Sequence, residues 1–351
     1  MFEEYLKGRG AQIHPDNPFL HSTRSKDPRE YLDPDNPTIK TYYQDTIAKT
    51  IVNKVPSPDI GMEYSMNPYQ GCEHGCVYCY ARNTHPYWGY DAGLDFETKI
   101  MAKQNAPELL IKFLNKKNWK ASPIMLSGNT DCYQPVERKL QITRKLLKIF
   151  LSYKHPVGLI TKNQLMLRDL DLLKKLNDHK LVKVAVSINT LQDDLRRVLE
   201  PRASSIPSRL RLVKELVRNE IPVTVMIAPI IPDLNDHEII DMVKLFSEIG
   251  VNHLSYIIIR LNGDVEEIFN DWLVRNFPDR ASKVMNKIIS LHGGKASDSR
   301  FKTRMKGEGN YSKIIADQFK LAKKKYFVEK QFDYDLNLYE LYKKPQLSLF
   351  S

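Results

Sequence analysis

The sequence predicts an α/β protein in which parallel strands alternate with amphipathic helices. Two observations carry this. From residue 63 onward, short β-branched runs alternate with stretches of helical periodicity. The chain of 351 residues, 42% of them hydrophobic, can bury the core of one large α/β domain with appendages or of two modest domains.

Strands are expected near 63–67, then at 123–128 (PIMLSG), 157–161 (VGLIT), 181–188 (LVKVAVSI), 222–230 (PVTVMIAPI) and 253–259 (HLSYIII). Helices are expected over 106–117, 136–153, 164–178, 207–219 and 236–249. Pro107 stands at a helix start, where its missing N–H costs nothing. Asn235 or Asp236 can cap the helix over 236–249. Repeated strand and helix argue for parallel βαβ units, and six such strands fit a partial barrel or a doubly wound sheet.

Around this core, residues 1–60 are rich in Pro, Asp, Asn and Lys and read as an irregular arm lying on the body or on a partner. Residues 264–276 look helical, 280–310 (with GGK and KGEGN) loop-rich, and 311–327 a basic amphipathic helix. The chain thus divides into an arm (1–60), a core (61–276), a basic extension (277–344) and a tail (345–351).

The formal charge is +11, which points to a polyanionic partner or to ordinary solvation of a basic surface. Residues 271–351 carry 17 Lys+Arg against 9 Asp+Glu, so most of the excess lies in the last quarter. Such asymmetry favours a nucleic-acid surface. The start, MFEEYLKGRGAQIHP, lacks the apolar core of a signal peptide. Apolar runs such as VTVMIA are too short to span a bilayer, so a cytoplasmic protein with no membrane partner is expected.

Three of the four cysteines, Cys72, Cys76 and Cys79, fall within eight residues as C-x3-C-x2-C. That is a ligand cluster in a reducing compartment, not a disulfide framework. Gly71 and Gly75 free the backbone to fold around a compact object. Thiolates are the usual ligands of iron–sulfur clusters, and three leave one iron open for chemistry. The alternative is a structural zinc site with His74 or His85 as fourth ligand, but no second cysteine pair supports it.

The run Gly71-Cys72-Glu73-His74-Gly75-Cys76-Val77-Tyr78-Cys79-Tyr80-Ala81-Arg82, following a strand of a βα repeat, resembles the radical S-adenosylmethionine (SAM) superfamily over about residues 63–260. The resemblance implies a partial (β/α)6 TIM-type barrel. It implies a [4Fe–4S] cluster on Cys72, Cys76 and Cys79, with SAM on the open iron. One-electron cleavage of SAM would then give a 5′-deoxyadenosyl radical that abstracts hydrogen from substrate. An electron donor such as flavodoxin or ferredoxin follows from the same chemistry.

SAM asks for a cation, hydroxyl partners and an apolar slot, at the C-terminal strand ends. Lys162 and Arg202 can supply the cation. Thr130, Ser187 and Asn189 can bond hydroxyls or the amino acid, and Tyr78 can flank adenine. Each can instead be a helix cap or a loop residue, although a lysine such as Lys162 is a poor N-cap.

Within the superfamily, the cysteine run, Thr161-Lys162 and Ser187 resemble spore photoproduct lyase and the DNA-repair-photolyase-like proteins. In that lyase a cysteine near the end of the second strand returns a hydrogen to the substrate radical, and tyrosines assist. Here Gly128 occupies that approximate place, and Cys132 follows Thr130-Asp131. Cys132 as hydrogen donor and Tyr80 as radical relay are the catalytic expectations; packing residues are the alternative for both.

Residues 300–327 interleave lysines and arginines with Phe301, Tyr311, Phe319, Tyr326 and Phe327, whose helical spacing favours core over base stacking. The tail, Gln346-Leu347-Ser348-Leu349-Phe350, resembles the short peptide that docks bacterial polymerases and repair proteins on the DNA sliding clamp. The leading reading is a radical SAM enzyme acting on DNA. The alternatives are one acting on RNA or protein, and a non-catalytic metal-stabilised nucleic-acid binder.

Overall fold

The computed structural model describes residues 5–20, 25–31 and 39–343. The expected tail peptide, Gln346–Phe350, lies outside them. Ten strands are seen among the described residues: β1 (Tyr42–Thr46), β2 (Val52–Lys54), β3 (Tyr64–Met66), β4 (Tyr69–Gln70), β5 (Lys99–Lys103), β6 (Ile124–Leu126), β7 (Val157–Thr161), β8 (Val182–Ser187), β9 (Val223–Ile230) and β10 (His253–Ile258).

The main sheet runs β10-β9-β8-β7-β6-β3-β2. From β3 to β10 every pairing is parallel, and only β2 is antiparallel. The strand order never reverses, so there is no switch point of the doubly wound kind. The parallel strands follow chain order, as in a partial (β/α)6 barrel, with β2 and β10 at the two edges. All six sequence-predicted strands are present, each within about two residues of its expected bounds.

Helices Ala106–Leu114, Ile142–Ser152, Leu170–Asn177, Ile206–Arg218 and Ile239–Ile249 cover the sheet, each burying an apolar stripe. The strands they cover bury one wholly apolar face, because successive side chains alternate between the two faces. Val182, Val184 and Val186 on β8 and Val223, Val225 and Ile227 on β9 are fully buried.

Three expectations need correction. Residues 281–291 form a helix, Ala281–Leu291, where a loop was expected; Val284, Ile288 and Leu291 bury one face of it. The arm is not wholly irregular. It contributes β2 to the main sheet and β1 to a small sheet ordered β1-β5-β4. Asn235 does not cap the following helix. Its side chain ties the loop after β9 instead, accepting from Ile231 N (2.6 Å) and donating to the carbonyls of Asn189 (2.7 Å) and Pro229 (3.0 Å).

The extension packs on the barrel. Helix Gly309–Tyr326 lies against helix Ile239–Ile249 through Ile315, Phe319 and Ala322. Lys313, Lys320, Lys324 and Lys325 stay exposed on its outer face. Among the described residues, no helix is long and apolar enough to cross a membrane.

Candidate active site

Short β4 leads into the cysteine loop, where Gly71 and Gly75 adopt φ of +76° and +69°, backbone that glycine takes without strain. Three backbone bonds place the loop. Cys72 N donates to Phe96 O (2.9 Å), Val77 N to Leu199 O (3.1 Å), and Arg202 N to His74 O (3.2 Å). The last two tie it to the segment after β8, at the C-terminal ends of the parallel strands.

All three thiols are free; Cys72 and Cys76 are buried and Cys79 half-buried. Burial pushes the Cys72 and Cys76 thiols up, with Asp131 adding to the first and Glu200 to the second; Cys79 raises both. Such thiols ionise readily only when a positive metal or cluster takes the place of the proton.

His74, between the first two cysteines, is buried, with Nδ1 3.3 Å from Asp131 and Nε2 3.2 Å from the Asn163 amide nitrogen. Asn163 Oδ1 accepts from Leu165 N and Ser204 Oγ, which fixes its nitrogen as the donor. His74 is thus neutral and occupied on both sides. Burial holds its pKa at about 4 although Asp131 opposes this. His85 packs between Tyr90 and Phe96, and neither ring nitrogen has a partner.

Asp131 organises the strand ends. It accepts from Thr161 Oγ1 (2.8 Å) and Lys162 N (2.8 Å), joining the loop after β6 to the end of β7. The Lys162 ammonium lies 5.9 Å from the Tyr78 ring centroid. Burial would lower the Lys162 pKa, but Cys76 and Glu200 outweigh it and raise it, so the cation faces the cysteine loop.

Tyr78 donates its hydroxyl to Glu200, whose other oxygen pairs with Arg209; both charged partners are fully buried. Burial pushes the Glu200 carboxyl up, yet Arg209 and Lys162 hold it below its ordinary range. Arg209 also donates to Ser204 O (2.8 Å) and Ser187 O (3.0 Å).

The other expected residues divide. Asn189 is fully buried just past β8, and neither its amide oxygen nor its nitrogen has a hydrogen-bond partner. Ser187 donates to Ala228 O at 3.3 Å. Thr130 spends its hydroxyl on Tyr69 O (2.7 Å). Arg202 pairs with buried Glu73 (3.1 Å) and donates to Thr41 (3.1 Å), on the side of the arm. Tyr80 is half-exposed and donates its hydroxyl to Gly128 O.

Cys132 is fully buried in the main core, its N–H bonded to Ser127 Oγ (2.7 Å) and its C=O to Thr143 Oγ1 (2.6 Å). A β-carbon on Gly128 would fall 2.7 Å from Ser65 Cβ, so that position takes only glycine as the backbone stands. Tyr80, Tyr78 and Lys162 lie by the cysteines, and Arg202 is tied to the cysteine loop through Glu73 and His74; Thr130 is spent on Tyr69 and Cys132 lies in the core.

Sequence reasoning passed over Asp131, Arg209 and Glu97 as partners. Arg209 carried a signal: it shares a helix face with apolar Ile206, Val213 and Leu216, and an arginine on a buried stripe needs a buried acid. Also unforeseen is the group His14, Asp91 and Asp95, whose ligand-type atoms lie within 4.8 Å of one another. Asp91 is committed there to His14 Nδ1 (2.6 Å) and Gly93 N (2.8 Å).

The radical SAM superfamily model matches residues 66–246, just over half of the chain. The chain belongs to the radical SAM superfamily. By membership it is a radical SAM enzyme, and the family implies an iron–sulfur cluster and SAM. It is 32% identical to an uncharacterized protein of Methanocaldococcus jannaschii over 241 residues, 68% of this chain and 85% of that one. It is 29% identical to an uncharacterized protein of Mycobacterium tuberculosis over 244 residues, 69% of this chain and 72% of that one. Among solved structures, spore photoproduct lyase complexed with dinucleoside spore photoproduct superposes with a TM-score of 0.59. That likeness covers 81% of this chain and 79% of the lyase at 15% identity, and speaks for a shared fold.

Proposed function

We propose that this radical SAM enzyme holds a [4Fe–4S] cluster on Cys72, Cys76 and Cys79 and acts on DNA, at a damaged or modified base. The cofactor reading is supported by three free thiols in one loop, the Lys162 ammonium 5.9 Å from the ring of Tyr78 in that loop, and just past β8 the buried, unpartnered amide of Asn189. A buried amide without partners costs free energy unless a ligand satisfies it. Lys162 would hold the SAM carboxylate, Asn189 and Ser187 its hydroxyls or amino acid, and Tyr78 would flank the adenine.

When bound, cluster and SAM supply a 5′-deoxyadenosyl radical after one-electron reduction. The chain's own part is to bind, orient and shield. Glu200 and Arg209 fix the Tyr78 ring; Asp131 fixes the backbone that carries Lys162. Tyr80 stands at the mouth, half-exposed beside Gly128, where a relay to substrate would act. Cys132 is fully buried in the main core, which favours Tyr80 over Cys132 for hydrogen return.

The DNA reading rests on the charge of +11 and on the exposed lysine face of helix Gly309–Tyr326. Phosphate contacts of this kind bind without reading sequence. A flavodoxin or ferredoxin would donate the electron, and the tail peptide Gln346–Phe350 would deliver the enzyme to the sliding clamp. The test is deuterium transfer from labelled substrates into 5′-deoxyadenosine. Label arriving from lesion-bearing DNA supports the proposal. Label arriving only from RNA or protein assigns it to those substrates.

A further inference from the structure

We infer that the N-terminal arm is a built part of the cluster site: Gly10 and Glu97 position the middle of the cysteine loop and shield it. This rests on the cluster reading above. Gly10 lies flat against the loop. A β-carbon on it would fall 1.8 Å from Gly75 O and 3.0 Å from Val77 Cγ1, a distance no side chain tolerates. A β-carbon on Gly75 would in turn meet Glu97 Oε2 at 2.8 Å and Pro201 Cγ at 3.2 Å. The segment between Cys72 and Cys76 is therefore clamped between the arm, Glu97 and the loop after β8.

Glu97 is the hub of the clamp. It is fully buried, and its carboxylate accepts from Gly10 N (3.0 Å), Ala11 N (2.8 Å) and Arg82 Nη2 (2.5 Å). Arg82, also fully buried, donates Nε to Cys76 O (2.9 Å) and Nη1 to Gly93 O (2.8 Å) and Ala92 O (3.1 Å). One carboxylate thus links the arm's backbone, through one guanidinium, to the carbonyl of a proposed ligand cysteine. Arg9 adds bonds to Glu97 O (3.1 Å), Ile39 O (2.7 Å) and Thr41 Oγ1 (3.0 Å). His14 closes the far end on Asp91 (2.6 Å).

Charge-assisted bonds at full burial are strong, and a buried charge left without its partner is costly. An arm that served only to decorate the surface would not need a glycine in van der Waals contact with a ligand loop. Oriented partners around ligating groups are what tune and protect a metal centre.

The experiment uses the full-length protein, purified anaerobically. Wild type is compared with Gly10→Ala and Glu97→Gln for iron content, the electron paramagnetic resonance spectrum of the reduced cluster, and bleaching of visible absorption in air. Both variants are expected to bleach several-fold faster and to show an altered spectrum, with thermal unfolding of the apo-protein still cooperative. A third measurement needs no variant. Hydrogen exchange over residues 9–14 of wild type is expected to slow on cluster loading. Variants that fold and match wild type in spectrum and bleaching rate overturn the inference; so does exchange indifferent to loading if the variants do not fold. A wild-type protein that takes up no cluster instead contradicts the cluster reading itself.

Discussion

Asn189 carries the sharpest prediction at the scale of single residues. Its buried amide has no partner in the protein alone. Asn189→Leu, which keeps the branched skeleton without the polar atoms, should stabilise the apo-protein by about 1–2 kcal/mol, because the unsatisfied group is gone. The same change should weaken SAM binding. Denaturant unfolding and SAM titration check the two halves, and the trade is the signature of a ligand site. Glu200→Gln breaks a pair with both partners buried. Losing one charge of such a pair costs about 3–5 kcal/mol. Unfolding of the apo-protein reads that loss. The gathering of Cys72, Cys76 and Cys79 in one loop was legible in the sequence, because their spacing alone brings three thiols together. The partners of Cys132 and Arg202 were not legible by the same logic, because they come from segments distant in sequence: Cys132 is buried in the core, and Arg202 pairs with Glu73 of the cysteine loop. Nothing in the residue order showed that Glu73 would claim Arg202.

At the scale of elements, the parallel strands were readable because each β-branched run stands alone between helices. Strand β4 has two residues, and four of the five residues of β1 are exposed, so neither shows the pattern of a buried strand. Helix Ala281–Leu291 was hidden by the Gly293-Gly294 pair that follows it, although Val284, Ile288 and Leu291 recur at helical spacing. The basic helix makes two separable predictions. Phe319 is buried against Tyr256, with ring centroids 4.7 Å apart. Phe319→Ala should cost about 3–5 kcal/mol in an unfolding experiment. Lys313→Gln, Lys320→Gln and Lys324→Gln, on the exposed face, should leave stability unchanged. Each contacting lysine removed should lower the salt slope of DNA binding by about 1.

The whole molecule buries neutral histidines, which ties its stability to pH. His155 accepts from Trp119 Nε1 at 3.0 Å and holds Pro156 O at 2.9 Å, leaving no room for a second proton. Burial lowers its pKa from 6.5 to about 4. Between those values the unfolded chain binds a proton that the folded one refuses. Its stabilising contribution is therefore complete above pH 6.5 and is lost as pH falls toward 4. From pH 7 to pH 5 wild type should lose about 2 kcal/mol more than His155→Asn, read from urea unfolding at the two values.

Anaerobic purification followed by incubation with SAM and a reductant decides whether the three cysteines hold a cluster that cleaves SAM. The expected result is a brown protein with about four irons per chain that forms 5′-deoxyadenosine, with loss of both on replacing Cys76 with Ala. A colourless protein carrying zinc and forming no 5′-deoxyadenosine would contradict it.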